Sequence, residues 1–182
     1  VARGARVVAV ERDREMAVVL RGELGEAVAL LEADAARLDY GALAARYGGP
    51  GMASGSTSTT TSTSTGPARV AVVGNLPYSI SSPVVLRLIE LRDRFPRAIL
   101  MLQREVVDRL CAGPGGKEYG ILSVYLGVLA ETRREFVVRR ACFHPAPDVD
   151  SAVMSVRFVG EYPETLVAAL RTVVRAAFAH RR

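Results

Sequence analysis

Short apolar runs, each closing on a polar or charged residue, alternate along this chain with amphipathic stretches, and that alternation restricts the folds open to it. "RVVAV" (residues 6–10), "AVALL" (27–31), "ARVAVVGN" (68–75) and "AILML" (98–102) read as strands, being short and rich in β-branched and aliphatic side chains. Residues 13–24 place Met16, Val19, Leu20 and Leu24 on one helical face. Pro83 falls in the first turn of a second helix, capped by Ser81 or Ser82, whose apolar stripe is Val84, Val85, Leu88 and Leu91. A short helix over 105–111, an apolar one over 119–130, strands around "EFVVR" and "AVMSVRFV", and a helix from Pro163 onward complete the pattern. Repeated strand, helix, strand units predict a doubly wound α/β sheet. The run at 68–75 is apolar enough to be covered on both faces.

One segment breaks the alternation. "SGSTSTTTSTST" (54–65) contains only Ser, Gly and Thr and is flanked by turn formers, so it can bury nothing. Residues 48–67 are therefore expected to be a disordered surface loop inserted within the domain.

Composition narrows the classes further. With 182 residues and 49% hydrophobic composition the chain can bury one sizeable core. No apolar run approaches the roughly 18 residues that span a bilayer, and no leader pattern opens the chain, so a cytoplasmic protein is expected. Cys111 and Cys142 have no paired spacing with His144 or His180, which suggests neither a disulfide framework nor a metal site. Lys plus Arg outnumber acids 24 to 19, and Lys117 is the sole lysine. Arginine's planar fork suits phosphate, so the excess is compatible with nucleic acid, and equally with a solvated basic surface.

An α/β sheet binds ligands at the carboxyl ends of its strands, where Glu11, Asp34 and Asn75 stand. Glu11 can accept hydrogen bonds from ribose hydroxyls, or it belongs to a charged helix start. Asp34 can accept an adenine amine, or it caps "AARLDYGALAARY". If a substrate amine is to attack an electrophilic methyl, the Asn75 side chain and the Leu76 carbonyl can each accept one of its hydrogens. Pro77 stiffens that turn and holds Leu76 extended. Such positioning is a main source of catalytic rate. Tyr78 offers a face on which a flipped base can stack; the alternative is a turn with a buried tyrosine.

"VVGNLPYSISSPVVLRLI", "MLQREVVDRLCAGPGGKEYGILSV" and "FHPAPDVDSAVMSV" resemble, in this order, the signature blocks of the small-subunit ribosomal RNA adenine dimethyltransferases, the KsgA/Dim1 family. The resemblance implies a Rossmann-like S-adenosylmethionine-dependent methyltransferase sheet. It implies transfer of two methyls to N6 of each of two adjacent adenines near the 3′ end of small-subunit ribosomal RNA, within an assembling subunit, by a monomer. It also implies Glu11 as the ribose-binding acid, Asp34 with its neighbour Ala35 at the donor's adenine, Asn75 between donor and target amine, Tyr78 as the stacking aromatic and Phe143 as a second one. Related enzymes that methylate large-subunit RNA and confer macrolide resistance share the Asn-Leu-Pro-Tyr type of motif. They give one alternative; a non-catalytic RNA-binding assembly factor gives another.

"CAGPGGKE" (111–118) lacks the first Gly and the final Ser/Thr of a phosphate loop, and reads instead as a flexible loop that offers Arg109 and Lys117 to substrate RNA. His144 reads as a loop histidine. The arginine pairs 133/134, 139/140 and 181/182 are RNA contacts or solvated surface. The chain departs from the family in two places. No glycine-rich donor loop precedes Glu11, and the sequence stops at "AFAHRR". It is thus expected to be an internal fragment. Residues 1–160 would form a methyltransferase domain lacking its first strand, and 161–182 would open a truncated C-terminal helical RNA-binding domain.

Overall fold

The computed structural model describes residues 5–47 and 70–179. The Ser/Thr-rich insert expected over 48–67 lies outside them.

Among the described residues, six strands and six α-helices follow in order: β1 (Val7–Glu11), α1 (Arg14–Leu24), β2 (Val28–Glu32), α2 (Tyr40–Tyr47), β3 (Ala71–Asn75), α3 (Ser81–Glu90), β4 (Arg97–Gln103), α4 (Arg104–Leu110), α5 (Ile121–Leu129), β5 (Ala130–Val138), β6 (Ser151–Phe158) and α6 (Glu164–Ala179). The α/β alternation is as read from the sequence, but the expected single sheet is in two pieces. β1 pairs in parallel with β2, while the other four strands run in the order β3-β4-β6-β5. β3 and β4 are parallel, whereas β6 lies antiparallel to both β4 and β5. Among the described residues, the break falls between the β1–β2 pair and β3.

The core lies on one face of the four-stranded sheet. Leu100, Leu102, Leu126 and Met154 are fully buried there, with Val84, Val85, Leu88 and Ile89 of α3 packed against them. Each such side chain contributes roughly 1.5–3 kcal/mol by leaving water. α2 joins this core through Tyr40, whose ring meets Phe95 edge-on at 5.8 Å.

Three expectations change. Ser81 is the first residue of α3 rather than its cap, and its buried hydroxyl has no partner among the described residues. The stripe foreseen on α1 is uncovered: Ala17 is buried, whereas Met16, Val19 and Leu24 are exposed, because no layer of described residues stands over them. β3, expected to be covered on both faces, is an edge strand among the described residues, and its Val73 is 81% exposed.

Candidate active site

β3 delivers Asn75 to the rim of the sheet opposite Met101 of β4, and the Leu76 N–H donates to the Met101 carbonyl at 3.2 Å. This bond pins the peptide that follows the strand. The Leu76 side chain then folds back over Gly74, where an added Cβ would meet Leu76 Cδ2 at 3.0 Å. Glycine serves close approach here, since its φ is not in the left-handed region. Pro77 is extended at φ −53°, ψ 139°. Its carbonyl accepts the Ile80 N–H at 3.1 Å, closing a 3-10 turn over Tyr78–Ile80.

That turn places Tyr78, 37% exposed, with its hydroxyl 3.4 Å from Ser151 Oγ. Ser151 is the buried first residue of β6, fixed between Gln103 and Val138 by antiparallel pairing. The segment before it carries Phe143 and reaches Pro145 and Pro147, with a cis peptide at His144–Pro145. Together these residues line an open cleft of about 440 Å³. Asn75, Leu76, Pro77 and Tyr78 contribute from one side of the chain, and Phe143, Pro145, Pro147 and Ser151 from the other. Chemically it is an apolar, aromatic slot bearing one amide, and that Asn75 amide has no side-chain partner among the described residues.

The two acids stand at the ends of the other sheet. Glu11 Oε1 accepts the N–H groups of Arg12 and Asp13 at 2.7 and 2.8 Å, while Asp13 caps α1 by accepting from Glu15 and Met16. Asp34 Oδ1 accepts the Ala36 N–H at 2.9 Å. Each acid therefore spends one oxygen on its local turn and keeps the other without a partner among the described residues. The Ala35 carbonyl accepts the buried Tyr40 hydroxyl at 2.9 Å. Burial, with the Asp34 charge adding to it, raises the Tyr40 pKa above its usual value.

The residues expected to form the site thus fall into groups. Asn75, Leu76, Pro77, Tyr78 and Phe143 share one cavity. Glu11, Asp34 and Ala35 lie at neighbouring strand ends and do not line it. Lys117 stands apart, exposed in the α4–α5 loop, and Arg109, expected to be free for phosphate, is engaged by Glu105 at 2.9 Å and Glu118 at 3.9 Å. Sequence reasoning assigned no role to Gly74, Pro145, Pro147 or Ser151. Proline at alternate positions in "HPAPDVDS" was the signal for an extended wall. Among the described residues no three His, Cys, Asp or Glu side chains group as a metal would need, and no helix is long and apolar enough to cross a membrane.

A family model described as "Ribosomal RNA adenine dimethylase" matches residues 2–182. The chain belongs to that family. Among relatives of this dimethylase-family chain, the ribosomal RNA small subunit methyltransferase A of Anaeromyxobacter dehalogenans (strain 2CP-C) is 48% identical across 100% of the chain and 60% of its own length. The protein of the same description from Myxococcus xanthus is 39% identical, with 57% of its length covered. The chain therefore spans about 60% of the length of the curated relatives it matches. Among solved structures, a dimethyladenosine transferase from Plasmodium falciparum superposes with a TM-score of 0.71 at 22% identity, over 97% of this chain and 56% of that one. The 23S rRNA methyltransferase ErmE superposes at 0.64 with 24% identity, over 92% and 59%. These likenesses establish that the dimethylase-family chain shares their fold.

Proposed function

We propose that the protein containing this chain transfers methyl groups from S-adenosylmethionine to N6 of two adjacent adenines near the 3′ end of small-subunit ribosomal RNA. It would act in the cytoplasm, as a monomer, on an assembling subunit. The observation that carries this reading is the convergence of Asn75, the Leu76 backbone, Tyr78 and Phe143 on one cavity. An aromatic slot with a free amide at its rim suits a flipped base that presents an exocyclic amine.

The donor set fits the cofactor. Glu11 ends β1 and Asp34 follows the end of the adjacent parallel strand β2 by two residues, and each retains an unengaged carboxylate oxygen, an acceptor suited to ribose hydroxyls or an adenine amine, with Ala35 alongside. S-adenosylmethionine, when bound, supplies an electrophilic methyl on sulfur. Asn75 Oδ1 and the Leu76 carbonyl accept the two N6 hydrogens of the target, which turns the nitrogen lone pair out of conjugation with the ring. Asn75 is neutral and orients the amine without itself titrating. Tyr78 and Phe143 hold the base, stacking of this kind being worth about 1–3 kcal/mol per base. Pro145 and Pro147 line the slot with apolar surface that carries no N–H to compete for the amine. Lys117 is available to the RNA backbone.

Residues 161–182 would open a C-terminal helical RNA-binding domain; α6 packs Val167 and Val174 on the core beside the four-stranded sheet and exposes Leu166 and Val173 outward. Small-subunit RNA is favoured over large-subunit RNA by the names of relatives at 39–48% identity; the likeness to a 23S enzyme is one of fold.

The test uses the full-length protein with labelled S-adenosylmethionine and unmodified small subunits. Dimethyladenosine is expected from the wild type, with Asn75→Ala lowering the rate by about 100-fold, the scale set by misplacing a reacting group. Methyl transfer to large-subunit RNA alone would favour the macrolide-resistance type. Subunit binding with no transfer to either RNA would favour the assembly factor.

A further inference from the structure

Beside the aromatic slot lies a second cavity, of about 380 Å³, bounded by Gln103, Arg104, Glu105, Arg140 and the run Asp148, Val149, Asp150. Its volume falls within the roughly 300–1,000 Å³ usual for small-ligand sites. The two hollows share a wall. Along residues 145–151, Pro145, Pro147 and Ser151 face the first cavity, while Asp148, Val149 and Asp150 face the second. Gln103 lies directly opposite Ser151 in the ladder, so both hollows open at the same end of the sheet.

The wall is fixed in place. The Arg104 N–H donates to the Asp150 carbonyl at 2.9 Å, Asp150 Oδ1 accepts the Arg140 N–H at 3.0 Å, and Arg140 Nη1 donates to the Asp148 carbonyl at 3.3 Å. The donors inside remain largely unspent. The Arg104 guanidinium lies 3.8 Å from Asp108 and 3.8 Å from Asp150, close enough for charge attraction and too far for a hydrogen bond. The Asp148 carboxylate has no partner among the described residues. Two arginines face three carboxylates, so the hollow does not suit a bare phosphate. It suits a neutral planar group whose edge both donates and accepts, with Val149, 44% exposed, as apolar support. A nucleobase has that edge: its amino hydrogens match carboxylate oxygens, and its ring nitrogens match guanidinium donors.

We infer that this cavity is a second base subsite, taking the nucleotide that flanks the target adenine on the same single-stranded RNA. The inference rests on the reading of the first cavity as the target-adenine slot. The first base enters between Tyr78 and Phe143, the chain crosses the wall at Pro147, and the neighbouring base lies against Arg104 and Asp148. The subsite thereby selects which adenines are presented.

The test is a cycle between protein and RNA, with the full-length protein. Wild type, Arg104→Gln and Asp148→Asn are each measured against a substrate RNA and against versions abasic at the nucleotide on either side of the target. Methyl transfer and equilibrium binding, by fluorescence anisotropy, are both read. One abasic position is expected to weaken the wild type at least about fivefold, the lower end for one good polar pair to a base edge. The variants should show that loss on intact RNA and little further loss on abasic RNA, with S-adenosylmethionine affinity by calorimetry unchanged. Equal sensitivity of wild type and variants to both abasic positions would overturn the subsite. Transfer to no RNA would overturn the proposed reaction instead, while the binding cycle still decides the subsite. Absence of RNA binding altogether would overturn both.

Discussion

The Tyr78 hydroxyl reaches Ser151 at 3.4 Å, long for an O–H···O bond, whose usual distance is about 2.7–2.8 Å. A weak tether follows, one that limits the ring's swing without locking it. Tyr78→Phe and Ser151→Ala are each expected to cost about 0.5 kcal/mol, the low end for a hydrogen bond, and the double variant no more than either, as read from thermal unfolding. Additive losses would show the two side chains to be independent. Tyr40 makes a pH prediction. Its folded pKa is raised, so the folded state holds the phenol proton more tightly than the unfolded chain. The resulting stability is complete below the unfolded value near 10 and is lost as pH rises through the folded one. Denaturant titrations should show this alkaline loss in wild type and a smaller one in Tyr40→Phe, whose removed bond to the Ala35 carbonyl costs about 1 kcal/mol at all pH. An identical alkaline decline in both proteins would assign the effect elsewhere, for instance to Cys111, which burial also raises.

Helices and strands were legible wherever the pattern was local. The buried faces of α3 and β4 follow their apolar spacing, and the turn after β3 follows from Asn, Pro and Tyr. What escaped was set by partners distant in sequence. The direction of β6 depends on its ladder with β4, which no local pattern encodes, and the exposure of Val73 depends on what lies over that face of the sheet. The slot was half legible, because motif residues from 75 to 78 are contiguous, whereas Ser151 enters through its register with Gln103 and Val138. Arg92 likewise gave no signal in the sequence. It is buried at the end of α3, and its Nη2 donates to the Tyr162 carbonyl at 3.1 Å, across to the segment that leads into α6. Arg92→Ala is expected to destabilise by about 1.5–3 kcal/mol, the range for a hydrogen bond to a charged group. Arg92→Met keeps the aliphatic stem, so it should recover most of the melting temperature while proteolysis near residue 160 still accelerates. If both variants resist cleavage like wild type, the bond does not hold α6.

Across the molecule, the four-stranded sheet is covered by described residues on one face only. Val73, Ile99 and Phe136 point out of the other, exposed by 81%, 43% and 59%, and the pairing of Val73 with Ile99 makes them neighbours. β1 and β2, meanwhile, hydrogen-bond only to each other among the described strands. That separation is expected to give two cooperative units with unequal protection. Amides of Val8, Val10 and Leu30 should exchange with deuterium through local opening, at rates insensitive to mutations that lower global stability, while those of Leu100 and Met154 should exchange only as the whole sheet unfolds. A single shared opening free energy for both groups would show instead that the two sheets melt as one. If they do not, the half of the molecule bearing Glu11 and Asp34 can loosen while the slot around Asn75 stays folded, and donor affinity would then vary with temperature independently of RNA affinity.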